Sequence, residues 1–169
     1  MSRFSPPTVL TETHYLAQFS CGKPALDQFL KEHALGRQKA MLSRTYVVTL
    51  AESQVVVAYF TLAFISVLSA EAPKKTGRGM PSSIPAILLA RLAVDEGQQG
   101  MRLGSSLFSD ALRRSWMVMQ GESAPVRFFV VDAKDSEAKA FYESKRMIPS
   151  PIEPMRLFLS YKDVQSLFE

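Results

Sequence analysis

A short glycine-containing loop before an amphipathic segment is the part of this 169-residue sequence best suited to binding a ligand. The loop, residues 99–105, contains Gly100 and Gly104, and apolar residues recur at three- and four-residue steps from Leu103 onward. This periodicity predicts a helix that begins near Leu103. The first N–H groups of a helix lack partners within it and lie at the positive end of the helix dipole, so such a loop can bind a phosphate or pyrophosphate.

Two common nucleotide-binding patterns are absent from the sequence. G-x-x-x-x-G-K-[ST] does not occur, and Gly97, Gly100 and Gly104 do not have the G-x-G-x-x-G spacing. Nucleotide hydrolysis and dinucleotide redox chemistry are therefore disfavoured. A strand, loop and helix also form an ordinary connection, so the pattern alone leaves both an anion site and a purely structural turn open.

Few other side chains are spaced for catalysis. Tyr142 shares the apolar stripe of a short predicted helix with Ala138 and Phe141, where a tyrosine is more often a core residue with a satisfied hydroxyl. Some carboxylates could act as bases, but no pair has distinctive spacing and none is assigned: Asp95, Glu96, Glu137 and Glu143. Cys21, His14 and His33 are too few and too scattered for a metal-ligand set, so no metal is expected.

Composition indicates a single domain that can bury a sizeable core rather than a membrane or disulfide-rich protein. With 47% hydrophobic residues, a net charge of +4 and one cysteine, residues 1–169 are expected to form one domain in a reducing compartment. The uncharged run from Ser53 to Ala70 fits strands better than a membrane span, and no apolar signal region is visible near the N-terminus. We therefore expect a cytoplasmic location and no membrane association.

The elements around the loop predict an α/β fold. Ile87 to Val94 reads as a buried strand that leads into the loop, and an antiparallel hairpin, two further strands and two further helices are expected elsewhere. Their predicted positions are 45–50 and 54–64 for the hairpin, 126–131 and 155–161 for the strands, and 24–40 and 136–145 for the helices. This order predicts a mixed sheet with helices on its faces.

A basic segment separates the hairpin from the central strand. Residues 69–85 contain Lys74, Lys75 and Arg78 among several glycines and prolines, which predicts a long, mobile loop. Such a loop can be merely solvated. If basic residues from elsewhere, namely Arg37, Lys39 and Arg44, share its face, the patch suits a phosphate backbone.

Gln99-Gly100-Met101-Arg102-Leu103-Gly104 resembles the pyrophosphate loop Q/R-x-x-G-x-G/A of the GNAT family of N-acetyltransferases. It matches at Gln99 and Gly104 and departs at Arg102, where the family usually has glycine; an arginine there could itself reach a phosphate. The resemblance implies acetyl-CoA as the cofactor and a backbone N–H near a strand bulge as the oxyanion donor. The implied cofactor-binding residues are Leu92, Ala93, Val94, Gln99, Gly100, Met101, Arg102, Leu103, Gly104 and Ser105.

Ala138 to Tyr142 is similar to the A-x-x-F-Y element of these acetyltransferases, which implies that Tyr142 is the catalytic residue that protonates the sulfur of CoA. Short motifs along most of the chain also resemble the acetyltransferase toxins of bacterial toxin–antitoxin pairs: F-x-C-G-K-x-x-L-D from Phe19, S-R-T-Y-V-V from Ser43, R-L-A-V-D from Arg91, and P-S-P-x-x-P-M from Pro149. The fold implied is a mixed, mainly antiparallel central sheet flanked by helices.

The toxin resemblance implies that the enzyme acetylates the amino group of aminoacyl-tRNA, stops translation, and is neutralised by a ribbon-helix-helix antitoxin. It gives the basic residues a substrate: Arg44, Lys74, Lys75, Arg78 and Arg91 are the predicted tRNA-binding residues. A small-molecule or protein N-acetyltransferase, and an inactive CoA-fold module that only binds nucleic acid or protein, remain alternatives. The oligomeric state is open between a monomer and a homodimer.

Overall fold

The structure is a computed structural model that describes residues 2–169. In this part of the chain the strands are β1 (Thr8–Val9), β2 (Arg44–Thr49), β3 (Val56–Leu68), β4 (Ser83–Val94), β5 (Phe128–Asp132), β6 (Ile148–Pro149) and β7 (Arg156–Ser160). The α-helices are α1 (Pro24–Gln28), α2 (Ala34–Lys39), α3 (Lys74–Gly77), α4 (Leu103–Met119), α5 (Ser136–Ser144) and α6 (Tyr161–Phe168). A π-helical turn, Phe29–His33, joins α1 to α2, and 3-10 turns cover Ser69–Glu71 and Glu96–Gln98.

The strands form one mixed sheet in the order β1-β2-β3-β4-β5-β7-β6. Pairing is antiparallel between β1 and β2, between β2 and β3, and between β7 and each of β5 and β6. Among the strand pairs described, only β4 and β5 are parallel. Their register runs from Ala86 opposite Phe128 to Leu89 opposite Val131. The predicted α/β fold with a mixed, mainly antiparallel sheet is confirmed.

The chain packs into two compact units, and β3, β4 and α4 each contribute residues to both. The first unit comprises the described part of Met1–Ala63 together with Ala90–Ala111. Its core surrounds Tyr59, whose ring contacts Phe19 edge-on and Phe29 face-on. Burial of large aromatic and β-branched side chains stabilises this unit because it removes their apolar surface from water.

The second unit comprises Phe64–Leu89 and Leu112–Glu169. Its core contains Phe128 and Phe158, on paired strands, with ring centroids 5.3 Å apart in an edge-to-face arrangement. Val130 and Ile84 are buried in the same cluster. The apolar run that predicted a buried strand near residues 126–131 therefore corresponds to β5.

The predicted positions of the helices and strands are largely confirmed, and one predicted helix is irregular. The hairpin is present as β2 and β3, and α4 begins at Leu103 as the periodicity predicts. The predicted helix over 24–40 is interrupted by the π-helical turn. His33, the last residue of that turn, is exposed, whereas Phe29 and Leu30 in the same turn are buried.

Two segments are more ordered than their composition predicts. The predicted long loop over residues 69–85 contains a 3-10 turn and α3, and β4 already begins at Ser83. The last residues form α6, which starts at a capping box in which Ser160 and Asp163 bond each other's backbone N–H groups. No helix within residues 2–169 combines the length and the apolar content needed to cross a membrane.

Candidate active site

Asp95 fixes the turn that follows β4 in the first unit. Its carboxylate accepts hydrogen bonds from the backbone N–H groups of Ser20 and Gly97, each at 2.9 Å. Its own N–H donates to the carbonyl of Val57 at 2.8 Å. Asp95, left unassigned at the level of sequence, therefore has a structural role in holding the loop. Glu96, Glu137 and Glu143 are exposed, as is usual for carboxylates on a solvated surface.

The side chain of Gln99 holds the next part of the loop. Its amide nitrogen Nε2 donates to the carbonyl of Val94 at 2.9 Å and to that of Cys21 at 3.2 Å. The side chain thus ties the loop both to the end of β4 and to the segment that precedes α1. The side-chain nitrogen of Gln99 is therefore used to hold the backbone of the loop in place. The predicted contact of Gln99 with the cofactor would be made by other atoms of the residue.

The backbone between Gln99 and α4 follows a path that favours glycine at two points. Gly100 has φ +84° and Arg102 has φ +59°, both in the left-handed region. A residue with a side chain held there is disfavoured by roughly 1–2 kcal/mol. Arg102 stands where the GNAT pattern usually has glycine, and its backbone nevertheless adopts a glycine-type conformation with the side chain exposed. At residue 102 an arginine therefore takes a backbone conformation that glycine adopts without strain.

Helix α4 begins immediately after this loop. The carbonyl of Arg102 accepts from the N–H of Ser106 at 3.1 Å, which closes the first turn. Gly104 lies in that turn, and a Cβ added to it would have Leu92 Cδ2, at 4.0 Å, as its nearest neighbour. Apart from the backbone of the helix itself, the space beside Gly104 is thus open, and it lies next to the first N–H groups of a helix. This arrangement fits a pyrophosphate, which would enter space that any side chain at residue 104 would fill.

Arg3 is a residue of this loop region that the sequence did not reveal. Its guanidinium lies 3.4 Å from Gln98 Oε1 and 3.6 Å from the sulfur of Met101. The main chain of Arg3 is anchored by a hydrogen bond from Ala51 N–H to its carbonyl. The separation of more than ninety residues in sequence explains why no local pattern could indicate this contact.

Arg91, on β4 in the first unit, lies against an aromatic stack. Its guanidinium carbon is 3.7 Å from the centroid of the Phe29 ring, and Phe29 in turn stacks on Tyr59. Burial lowers the pKa of Arg91, and the charge of Arg37 acts in the same direction. Within residues 2–169 no carboxylate forms an ion pair with Arg91. A partly desolvated guanidinium without a counter-ion is suited to an anionic ligand.

Tyr142 lies on α5 in the second unit. Asp135 caps this helix, because its Oδ1 accepts from the N–H of Ala138 at 2.8 Å. Tyr142 is 7% exposed, and burial raises the pKa of its hydroxyl to about 12. The phenol therefore keeps its proton at neutral pH and can serve as a proton donor. The stripe of Ala138, Phe141 and Tyr142 predicted from sequence is confirmed.

The basic residues of the second unit lie on and beside α3. Lys74, Lys75 and Arg78 are exposed, and none forms an ion pair with another residue of the described chain. Three solvated cations within five positions can contact a phosphate backbone. In the first unit, Arg44 begins β2 and is also exposed, whereas Lys39 is paired with Glu12.

Two other sequence expectations concern Cys21 and metals. Cys21 is buried, and burial together with a contact to Asp27 raises the pKa of its thiol to about 11, which makes it a poor nucleophile. Nowhere in residues 2–169 do three or more histidine, cysteine or carboxylate side chains gather as a metal site would require.

No protein-family model matches the chain. The chain is 39% identical over 167 residues to a tRNA-acetylating toxin of Mycobacterium tuberculosis, covering 99% of this chain and 98% of that protein. It is similar to a structure of AtaT complexed with acetyl-methionyl-tRNAfMet, with a TM-score of 0.89, 27% identity and coverage of 98% of this chain and 99% of that one. A mutant AtaT toxin bound to the C-terminus of the antitoxin AtaR and acetyl-CoA gives a TM-score of 0.83 at 25% identity, covering 99% of each chain.

Proposed function

This chain belongs to the GNAT-fold acetyltransferase toxins of toxin–antitoxin systems, and from that premise we propose that it acetylates the amino group of aminoacyl-tRNA with acetyl-CoA and thereby blocks translation. The observation that carries the proposal is the 39% identity to a tRNA-acetylating toxin over almost the whole of both chains. A complex of the related AtaT with acetyl-methionyl-tRNAfMet supports the same substrate class.

Acetyl-CoA is assigned to the loop of the first unit. We propose that its pyrophosphate is bound by the backbone of residues 99–105, supported by the left-handed Gly100 and Arg102 and by the open space beside Gly104. Leu92, Ala93 and Val94 are assigned to the acetyl-bearing end, where a backbone N–H near Leu92 or Val94 would stabilise negative charge developing on the carbonyl oxygen. Acetyl-CoA supplies an activated thioester.

The transfer needs one proton donor and no strong base. The α-amine of an aminoacyl group titrates near pH 8, about two units below a lysine, so a fraction is unprotonated at neutral pH. The amine nitrogen forms a bond to the carbonyl carbon as the bond from that carbon to sulfur breaks. Tyr142 donates its phenolic proton to the departing sulfur, the proton lost from the amine goes to solvent, and Tyr142 regains a proton from solvent.

A cognate antitoxin is the proposed protein partner. The related AtaT toxin has been seen bound to the C-terminus of the antitoxin AtaR. We expect the antitoxin of this chain to have a ribbon-helix-helix fold, and a homodimer of the toxin is compatible with the exposed apolar residues Phe64 and Leu68. The proposed location is the cytoplasm, because charged tRNA and acetyl-CoA are both available there.

Charge reversal of Lys74, Lys75 and Arg78 to glutamate is expected to raise the KM for aminoacyl-tRNA and to leave the affinity for acetyl-CoA nearly unchanged. Each neutralised phosphate releases counterions, so wild-type affinity for tRNA should fall about tenfold or more between 50 and 200 mM salt. The variant should show a shallower salt dependence. Acetylation assays at two salt concentrations provide the measurement.

In the matched control, three other exposed lysines are replaced by glutamate, which gives the same change in net charge: Lys31, Lys134 and Lys162. Its KM for tRNA should stay closer to that of the wild-type enzyme. Equal increases in both variants would mean that only net charge matters, and the assignment of the three residues on and beside α3 would then be wrong.

A further inference from the structure

Arg156 joins two segments of the second unit through three charged hydrogen bonds. Its Nε and Nη2 donate to the two carboxylate oxygens of Asp132 at 2.7 and 2.9 Å, and its Nη1 donates to Glu71 Oε2 at 3.0 Å. The pair with Asp132 has the two-pronged geometry in which a guanidinium binds a carboxylate most specifically. The side chains of Arg156 and Glu71 are largely shielded from solvent, with 21% and 18% of their surface exposed.

Glu71 also closes the turn that leads into the basic segment. Its second oxygen, Oε1, accepts from the N–H of Leu68 at 3.1 Å. Only two residues, Ala72 and Pro73, lie between Glu71 and Lys74, and Ala72 is buried. Gly77 folds back against the same turn, so closely that an added Cβ would lie 2.9 Å from the carbonyl oxygen of Ser69. The orientation of α3 is therefore set by the turn that Glu71 and Arg156 hold.

The other partner of Arg156 belongs to the strand that precedes the helix of Tyr142. Asp132 is the last residue of β5, and the next residue, Ala133, donates from its N–H to the carbonyl of Met155 at 2.7 Å. Arg156 itself begins β7. The guanidinium thus anchors the basic segment to the two paired central strands of its unit, which are rigid compared with an exposed loop.

We propose that Arg156, acting through Glu71, is a positioning residue that holds Lys74, Lys75 and Arg78 in the orientation that binds the phosphates of tRNA. This inference rests on the proposed function, since it deepens the assignment of the same basic segment. Arg156 does not need to touch tRNA. Its effect is to hold Lys74 and Lys75 on α3, and Arg78 directly after it, in one orientation, so that less conformational entropy is lost when they bind.

Glu71→Gln tests the inference because two effects predict opposite signs. The substitution removes a negative charge near a nucleic-acid-binding segment, and Coulomb attraction alone would then tighten tRNA binding. Loss of positioning weakens it. We expect the Kd for fluorescently labelled bulk tRNA and the KM for aminoacyl-tRNA to rise about threefold to tenfold, with the KM for acetyl-CoA within about twofold of wild type.

Two further variants separate positioning from a general structural effect. Arg156→Lys keeps the charge but loses the two-pronged geometry. Its Kd for tRNA should lie between those of the wild-type protein and Glu71→Gln. Glu122→Gln makes the same charge change as Glu71→Gln at an exposed position, and its Kd should stay at or below the wild-type value. In Glu71→Gln the slope of log Kd against log salt should become shallower by the amount expected for the loss of about one phosphate contact. In Glu122→Gln the slope should stay unchanged.

The binding assay measures tRNA affinity directly, whereas acetylation by the wild-type enzyme tests the proposed function separately. A Glu71→Gln protein with wild-type thermal stability that binds labelled tRNA as tightly as wild type, with the same salt slope, overturns the positioning role. A wild-type protein that binds tRNA but does not acetylate charged tRNA overturns the proposed function and leaves the comparison of the Kd values to decide the role of Arg156.

Discussion

Replacement of Tyr142 by phenylalanine is expected to lower kcat by about 10²- to 10⁴-fold, the usual effect of losing one general acid. The aromatic ring that fills the buried site on α5 is retained, so the fold and the affinity for acetyl-CoA should change little. The measurement is turnover with saturating acetyl-CoA and charged tRNA, under conditions in which chemistry limits the rate. Calorimetry and thermal unfolding check binding and fold.

The pH dependence gives a second readout of the same residue. Burial raises the pKa of Tyr142 to about 12 because it disfavours the phenolate, whereas an unfolded tyrosine titrates near 10. The proton is therefore present in the folded enzyme throughout the neutral and moderately alkaline range, and is lost only as the pH approaches the raised value. Loss of this proton should therefore cause no decline in kcat through the neutral and moderately alkaline range, which the pH profile of kcat measures.

Tyr15→Phe is the matched control, because Tyr15 is 46% exposed and lies in the first unit. Its kcat should equal that of the wild-type enzyme. If Tyr142→Phe also kept full turnover while chemistry was rate-limiting, Tyr142 would be a core residue and the sulfur would receive its proton from another group.

Gly104→Glu is expected to weaken acetyl-CoA binding by on the order of a hundredfold or more, since apposed like charges cost several kcal/mol. The glutamate would enter the open space at the start of α4 and repel the pyrophosphate. The fold should tolerate it, because the nearest atom to an added Cβ is 4.0 Å away and a carboxylate near a helix N-terminus is favourable. Isothermal titration calorimetry with acetyl-CoA provides the measurement.

Gly104→Ala separates protein stability from ligand binding. Alanine should stabilise the unliganded protein by up to about 1 kcal/mol, because glycine is a poor helix residue. Its Cβ would nevertheless occupy the proposed pyrophosphate space, so acetyl-CoA affinity should fall while the free energy of unfolding rises. Gly36→Ala and Gly36→Glu are matched controls in α2, where an added Cβ meets nothing within 4 Å. Unchanged acetyl-CoA affinity in both Gly104 variants would contradict the assigned site.

Local patterns in the sequence predicted the elements that position the candidate site. The apolar run up to Val94 and the periodicity from Leu103 bracket the loop, because both depend on which side chains face a core. The stripe ending at Tyr142 similarly predicted α5. The cap at α6 could have been predicted as well, since Ser160 and Asp163 have the spacing of a capping box.

Other features depend on contacts that no local pattern contains. The left-handed φ of Arg102 is imposed by the loop around it, and the sequence showed only that glycine was absent. The bonds from Arg156 to Glu71 span 85 positions, so the ordered turn before α3 could not be distinguished from a mobile basic loop. The π-helical turn at Phe29–His33 is a further feature that a regular helical periodicity does not anticipate.

Acetylation of charged tRNA by the purified protein is the most direct test of the proposed activity. The protein is incubated with acetyl-CoA and bulk aminoacyl-tRNA, and in parallel with a polyamine and a lysine-containing peptide, and the products are identified by mass spectrometry. We predict an acetyl group on the amino acid released from tRNA, and little or no transfer to the other two amines. Efficient acetylation of the polyamine or the peptide, with charged tRNA left unmodified, would contradict the assignment of charged tRNA as the substrate.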